Sequence, residues 1–219
     1  MNESDKRAAA LAAIEEVRPG MVVGLGTGST AAFAITALGE RRLDIRAVAT
    51  SLASEALARA AGIALIDLPA EIDLTIDGAD EIDSRFRAIK GAGGAMLREK
   101  VVASASKRMI VIADSSKQVA AIGAAPIPVE VLPFAEAFVA AQLTELGARV
   151  TLRAGFRSDQ GNIVLDCRFP IDTDHARLDI EISGIPGVLG HGLFLSQVST
   201  TYIAEHGVVT RLERDAPAD

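Results

Sequence analysis

The sequence predicts an α/β protein in two parts: a parallel sheet with helices on both faces, then a smaller domain of βαββαβ order. Three observations carry this. Short apolar runs alternate with helical stretches from Ser4 to Lys117. The pattern changes at Pro126 and Pro128. Ala, Leu, Gly, Ile and Val dominate a chain that is 49% hydrophobic, 4% aromatic and without Trp, a composition suited to helices packed on a buried parallel sheet.

Ser4 to Val17 reads as the first helix. Ser4 or Asn2 can cap it, and Pro19-Gly20 ends it. Lys6 and Arg7 lie in its first turn, the unfavourable end of the helix dipole for a cation. They are either solvated surface charges or placed to meet an anion. Met21 to Leu25 is a buried strand that breaks into Gly24-Leu25-Gly26-Thr27-Gly28-Ser29-Thr30. A helix follows from Ala31 to Leu38, closed by Gly39. In a strand, glycine-rich turn and helix, backbone N–H groups and the helix dipole converge on an anion. Gly26 and Gly28 let the backbone come close, and Thr27, Ser29 and Thr30 add hydroxyls. The dinucleotide fingerprint does not fit, because Ser29 and Thr30 fill the region of its third glycine and no acid ends the second strand. The ATP-type loop does not fit either, since no lysine follows Gly28. A compact cradle for a monophosphate remains, with a tight structural turn as the other reading.

Ile45 to Thr50 is a second strand, with a helix from Ser54 to Ala61 ended by Gly62, and Ile63 to Leu68 is a third. Leu74-Thr75-Ile76 is a short fourth, which delivers Asp77 to the carboxyl edge of the sheet, where ligands of such folds bind. Gly91 to Gly94 form a second flexible loop before the helix Ala95 to Ser104, and the strand Met109 to Ala113 delivers Asp114-Ser115-Ser116-Lys117. From Ile127 the order is strand (to Leu132), helix (Phe134 to Leu146), strand (Ala148 to Arg153) and a turn at Asp159-Gln160-Gly161. Strand (Asn162 to Arg168), helix (Asp174 to Ile182) and strand (Val188 to Phe194) complete the smaller domain. Val198 to Ala204 and Val208 to Leu212 read as strands returning to the first domain, and Asp215 to Asp219 as a frayed tail. The expected division is therefore residues 1–126 with 198–219, and residues 127–197.

The net charge is −7 and no Lys/Arg run is present, so no nucleic-acid partner is expected. Cys167 is the single cysteine, so no intrachain disulfide can form and a reducing compartment is expected. Alternation within its strand suggests that it packs rather than reacts. The N-terminus does not read as a signal peptide, and no apolar run reaches about 18 residues. The expectation is a cytoplasmic protein with no membrane partner.

The chemistry concentrates between Asp77 and Lys100. Asp77 and Asp80 could be a metal pair, a capped turn or acid/base groups. His175, His191 and His206 are scattered, which gives a metal little to bind. Lys90, beside Gly91-Ala92-Gly93-Gly94, could hold an anion or stabilise a developing oxyanion. Glu99, between Arg98 and Lys100, is either an exposed helix glutamate or a base. Lys117 either completes a phosphate site or is a solvated loop lysine. Ser29 does not sit in a nucleophile elbow.

The segments GLGTGSTAAFAI (Gly24 to Ile35), TSLASEALA (Thr50 to Ala58), TIDGADEID (Thr75 to Asp83), KGAGGAMLREK (Lys90 to Lys100) and ADSSKQV (Ala113 to Val119) resemble ribose-5-phosphate isomerase of the A type. IPVEVLP (Ile127 to Pro133), GNIVLD (Gly161 to Asp166) and IPGVLGHGLF (Ile185 to Phe194) look like the family's later landmarks. The resemblance spans nearly the whole chain. It implies a Rossmann-like domain with a smaller lid, and an aldose–ketose isomerase of the non-oxidative pentose phosphate pathway. That enzyme interconverts ribose 5-phosphate and ribulose 5-phosphate through a cis-enediolate. By resemblance Glu99 matches the catalytic base, and Asp77, Asp80 and Lys90 match the other catalytic residues. Thr27, Gly28, Ser29, Thr30, Gly78, Ala79, Gly91, Ala92, Gly93 and Lys117 match substrate-binding positions. The resemblance implies no cofactor, no metal and a homodimer. Ala92 departs from the glycine of many members, and its methyl group would strain the loop only at positive φ. Two other classes use similar folds. A sugar-phosphate sensor would need a DNA-binding domain, and only about twenty residues precede the first strand. A deaminase or lactonase would want a histidine near the site, and all three histidines fall in or after the expected lid.

Overall fold

A computed structural model describes residues 3–214. The Asn2 cap and the Asp215–Asp219 tail lie outside the described residues. The elements in chain order are α1 (Glu3–Ile14), β1 (Val22–Leu25), α2 (Ser29–Arg41), β2 (Arg46–Ala49), α3 (Leu52–Ala60), β3 (Ala64–Leu65) and β4 (Leu74–Asp77). Then come β5 (Glu81–Asp83), β6 (Ala88–Ile89), α4 (Met96–Ser104), β7 (Met109–Asp114) and β8 (Gln118–Val119). β9 (Ile127–Val131), α5 (Glu136–Glu145), β10 (Arg149–Leu152), β11 (Ile163–Arg168), α6 (His175–Ser183) and β12 (Val188–His191) follow. The chain closes with β13 (Leu193–Phe194), β14 (Val198–Glu205) and β15 (Val208–Glu213).

The large sheet has the order β15-β14-β7-β4-β1-β2-β3. All neighbours pair in parallel except β14 with β15. From β1 the chain winds to one edge through β2 and β3. It then returns to β4 and winds to the other edge through β7 and β14. The order reverses between β1 and β4, and the crevice there is where such folds bind ligands. One face of the sheet is covered by α1 and α2, whose Ala9, Ala13, Ile14, Ile35 and Leu38 pack on Val23, Leu25, Ile76 and Ile110. On the other face Met96, Val102 and Ala103 of α4 pack against Val22, Val48, Met109 and Val111. Each fully buried Ile or Leu contributes roughly 1.5–3 kcal/mol. The alanines let α1 approach closely. Asp5 then ties α1 to the far hairpin by accepting from the N–H groups of His206 and Gly207.

The smaller layer is a four-stranded antiparallel sheet of order β10-β11-β9-β12. This is the arrangement of a split-βαβ unit. Cys167 is buried in its core, and burial pushes its thiol up to about 12.

Four details differ from the sequence reading. α2 runs through Gly39 and stops at Arg42, which takes a left-handed φ of 49°. The third strand shrinks to Ala64–Leu65. The apolar run Val188–Phe194 is two strands, because β12 pairs with β9 while β13 pairs with β6. A further sheet of order β13-β6-β5-β8 is absent from the sequence reading. Its strands are two or three residues long, too short for any periodicity to register. It matters for the site, because the β5–β6 hairpin carries the chain from Asp80 to Lys90.

Candidate active site

The site is built where β1 and β4 end. Asp77, the last residue of β4, is fully buried. Its Oδ1 accepts from the backbone N–H groups of Thr27 (3.0 Å) and Gly78 (2.7 Å). This is possible only because residue 26 is glycine: a Cβ there would lie 2.0 Å from Asp77 Oδ1 and 2.6 Å from its Cα. Gly28 serves differently, with open space around it and a φ of 104° that L side chains rarely adopt. Gly26→Ala is expected to destabilise the protein by about 1–3 kcal/mol, the range for overpacking, and to push Asp77 off Lys90. Thermal unfolding together with turnover checks this.

The β5–β6 hairpin brings the next two groups together. The Asp80 N–H donates to Ile89 O (2.8 Å), which sets Asp80 beside Lys90. Asp83 fixes the turn by accepting from the N–H groups of Arg85 and Arg87 and from the Arg87 guanidinium. The Lys90 N–H donates to Gly192 O, the residue at which the chain leaves β12 for β13. The Lys90 side chain, 3% exposed, then runs inward. Its Nζ lies 2.9 Å from Asp77 Oδ2, 3.3 Å from Glu99 Oε2 and 2.5 Å from Gly78 O.

Glu99 sits in the first turn of α4 and is buried, whereas Arg98 beside it faces solvent. The exposed-glutamate reading therefore fails, because α4 lies against the sheet with Met96, Glu99 and Val102 on its inner face. Burial, then the negative charge of Asp77, push the Glu99 carboxyl up to about 8, with Lys90 opposing. Burial also raises Asp77, against the pull of Lys90 and the two N–H donors. Burial alone would lower Lys90, but Asp77 and Glu99 outweigh it and hold the ammonium charged.

A cavity of about 210 Å³ lies over these groups, with Asp80, Lys90 and Glu99 at one end. Gly28, Ser29, Thr30, Lys6 and Lys117 form the other end. Gly78, Ala79, Gly91, Ala92 and Gly93 line its sides, and Thr27 reaches its wall. Gly28 provides no side-chain cap to α2, so the first N–H groups of that helix have no intrahelical or capping partner. Lys6, buried despite its place in a first turn, donates to Ser29 Oγ at 2.8 Å. Arg7 is exposed. Two cations and a helix N-terminus thus face one end, and two carboxylates with one lysine form the other, with Asp77 buried behind the lysine. No histidine lines this cavity, and among the described residues no three His, Cys, Asp or Glu side chains are grouped to hold a metal.

The family model for ribose 5-phosphate isomerase A (phosphoriboisomerase A) matches residues 46–207. A ribose-5-phosphate isomerase A from Sphingopyxis alaskensis is 54% identical over 215 residues, 94% of each sequence. The chain belongs to the ribose 5-phosphate isomerase A family. The fold agrees: the Methanocaldococcus jannaschii ribose 5-phosphate isomerase A superposes with a TM-score of 0.93 at 36% identity, covering 97% of this chain and all of that one. A D-ribose-5-phosphate isomerase in complex with phospho-erythronic acid gives 0.94 at 35% identity, covering 98% of this chain and all of that one.

Some functional residues are visible only in three dimensions. The Thr27 hydroxyl is engaged by Thr50 (2.8 Å), Ser51 (2.8 Å) and Ser54 (3.1 Å), so it holds the loop and is not a spare ligand. Ser54 Oγ in turn donates to Gly26 O. The run Thr50 to Ser54, among the segments carrying the family resemblance, was the available signal. Ala92 does not take a positive φ, so its departure from the family's glycine carries no backbone strain.

Proposed function

We propose that this family member interconverts D-ribose 5-phosphate and D-ribulose 5-phosphate through a cis-enediolate, with Glu99 as the base. One observation carries the reading: a buried carboxylate raised to about 8 lies 3.3 Å from a buried lysine, at the far end of a cavity from an anion cradle. The α2 N-terminus, Lys6 and Lys117 hold the phosphate. Its binding energy then positions the sugar at the other end. Asp80 serves as the acid/base that opens the ring. Glu99 takes the proton from C2 and returns it to C1, and the O2 hydroxyl proton passes to O1, while O1 and O2 share the charge of the enediolate. Lys90 stabilises that charge, and Asp77 orients Lys90. The phospho-erythronic acid bound by the structural relative fits this chemistry. Its carboxylate presents two oxygens sharing a negative charge, as O1 and O2 on the adjacent carbons of the enediolate do. The family resemblance extends the reading to a homodimer, which sedimentation tests.

The test is ribulose 5-phosphate formation from ribose 5-phosphate in EDTA. A protein that binds the sugar phosphate without turnover overturns the reading in favour of a sensor. The pH profile gives a second check. A base works only as the carboxylate, so a pKa raised to about 8 costs activity on the acid side. At neutral pH roughly a tenth of Glu99 would be ionised in the free enzyme. The expected kcat/KM therefore rises with unit slope to a break near pH 8 and levels off above it. Asp77→Asn is expected to move the break downward, since Asp77 is the main charge holding it up.

A further inference from the structure

We propose that Arg153, which lies outside the cavity, is a positioning residue that sets the aim of Asp80 through the Gly91–Ala92 peptide unit. The inference rests on the reading of Asp80 given above. The Ala92 N–H donates to Asp80 Oδ2 at 2.9 Å. The carbonyl of that same peptide unit, Gly91 O, accepts from Arg153 Nη1 at 3.2 Å, and Ala92 O accepts from the same nitrogen at 3.1 Å. A trans peptide is planar, with its C=O and N–H pointing opposite ways. Fixing the carbonyl therefore fixes the direction of the N–H. A cation on the carbonyl also polarises the amide and strengthens its N–H as a donor.

The guanidinium is itself held from behind. Arg153 Nε lies 3.0 Å from Asp166 Oδ2 and Nη2 lies 2.5 Å from Asp166 Oδ1, a two-point fork that leaves Nη1 for the loop. The Phe156 ring lies 5.3 Å from the guanidinium carbon and packs directly against Gly94. The segment carrying Arg153 and Phe156 is anchored at its far end. Ser158 and Asn162 donate to the buried Glu130, and Asp159 accepts from Leu52 N at the start of α3. The loop that carries Gly91 and Ala92 thus receives its orientation from the smaller sheet. The phosphate end of the cavity makes no contact with Arg153.

The experiment compares wild type, Arg153→Gln, Arg153→Lys, Asp80→Asn and the Arg153→Gln/Asp80→Asn double variant. Turnover by the wild type is measured first and tests the isomerase reading separately. Arg153→Gln is expected to lower kcat by about 10- to 100-fold, the cost of a small misplacement. The inhibition constant of inorganic phosphate should stay within about twofold. Arg153→Lys should not restore kcat, because an ammonium cannot fork onto Asp166 and reach the loop together. The double variant should be no slower than Asp80→Asn within about twofold. An unchanged kcat, losses that multiply in the double variant, or phosphate affinity falling with kcat would overturn the proposal. The Ala92 amide ¹⁵N–¹H resonance reads the bond to Asp80 without turnover. It is expected to shift upfield in Arg153→Gln, and an unmoved resonance also overturns the proposal.

Discussion

Glu99→Gln is expected to lower kcat by about 10²- to 10⁴-fold, the range for loss of a general base, while leaving sugar-phosphate binding nearly intact. The amide fills the same space but cannot accept the C2 proton. The phosphate cradle at the other end of the cavity is untouched. Folding should survive as well. Glu99 is the less well satisfied of the two buried carboxylates: Asp77 accepts from two N–H groups and pairs with Lys90 at 2.9 Å, while Glu99 meets Lys90 at 3.3 Å. Above about pH 8, where Glu99 is ionised, the amide relieves repulsion with Asp77, and at every pH it leaves the Lys90–Asp77 pair in place. The variant should therefore unfold at or above the wild-type midpoint. In D₂O it should also stop exchanging the C2 hydrogen of bound ribose 5-phosphate. Turnover within tenfold of wild type would remove Glu99 from the role of base.

The same residue shows where sequence reading reaches its limit. The turn from Gly24 to Thr30 was legible because each residue type there has a local meaning: glycine for φ or close approach, hydroxyls near a helix start. The order of the smaller sheet was legible because its strands and helices are long enough to show a period. Glu99 was not, since Arg98-Glu99-Lys100 is a charged run on a helix of weak amphipathicity. Only the packing of α4 on the sheet decides which of the three turns inward. Asp80 and Lys90 were visible as residue types, but their contact depends on a hairpin of two- and three-residue strands. Lys6 was visible as a cation at the unfavourable end of a helix. Its burial against Ser29 depends on α1 crossing to the β1–α2 loop, a contact between residues 23 positions apart. The family resemblance supplied the assignments of Glu99, Asp80 and Lys90, because it carries tertiary information that local pattern lacks; it left Lys6 open.

Removing the lysine should damage folding as well as catalysis, because the protein depends on it twice. Lys90→Gln leaves Asp77 and Glu99 buried with no cation between them. Breaking a buried ion pair from one side costs about 3–5 kcal/mol. Both partners are at most 4% exposed, so solvent does little to screen the loss. Catalysis should fall by about 10²- to 10³-fold through loss of the enediolate's cation. The two effects separate with pH. Burial raises the folded-state pKa of Glu99 above its unfolded value, so stability falls as pH rises from the unfolded value to the folded one, while only the unfolded chain is ionised. In the wild type this loss ends near pH 8, where ionised Glu99 rests against Lys90. Without Lys90 the folded pKa climbs further and the loss continues. The stability gap between variant and wild type should then be smaller at about pH 6 than at about pH 9. Urea unfolding of wild type, Lys90→Gln, Glu99→Gln and the double variant measures it. The double variant should be more stable than Lys90→Gln alone, since it buries one charge fewer. A gap independent of pH, or a double variant weaker than the sum of the single losses, would show that Lys90 does not balance these two carboxylates.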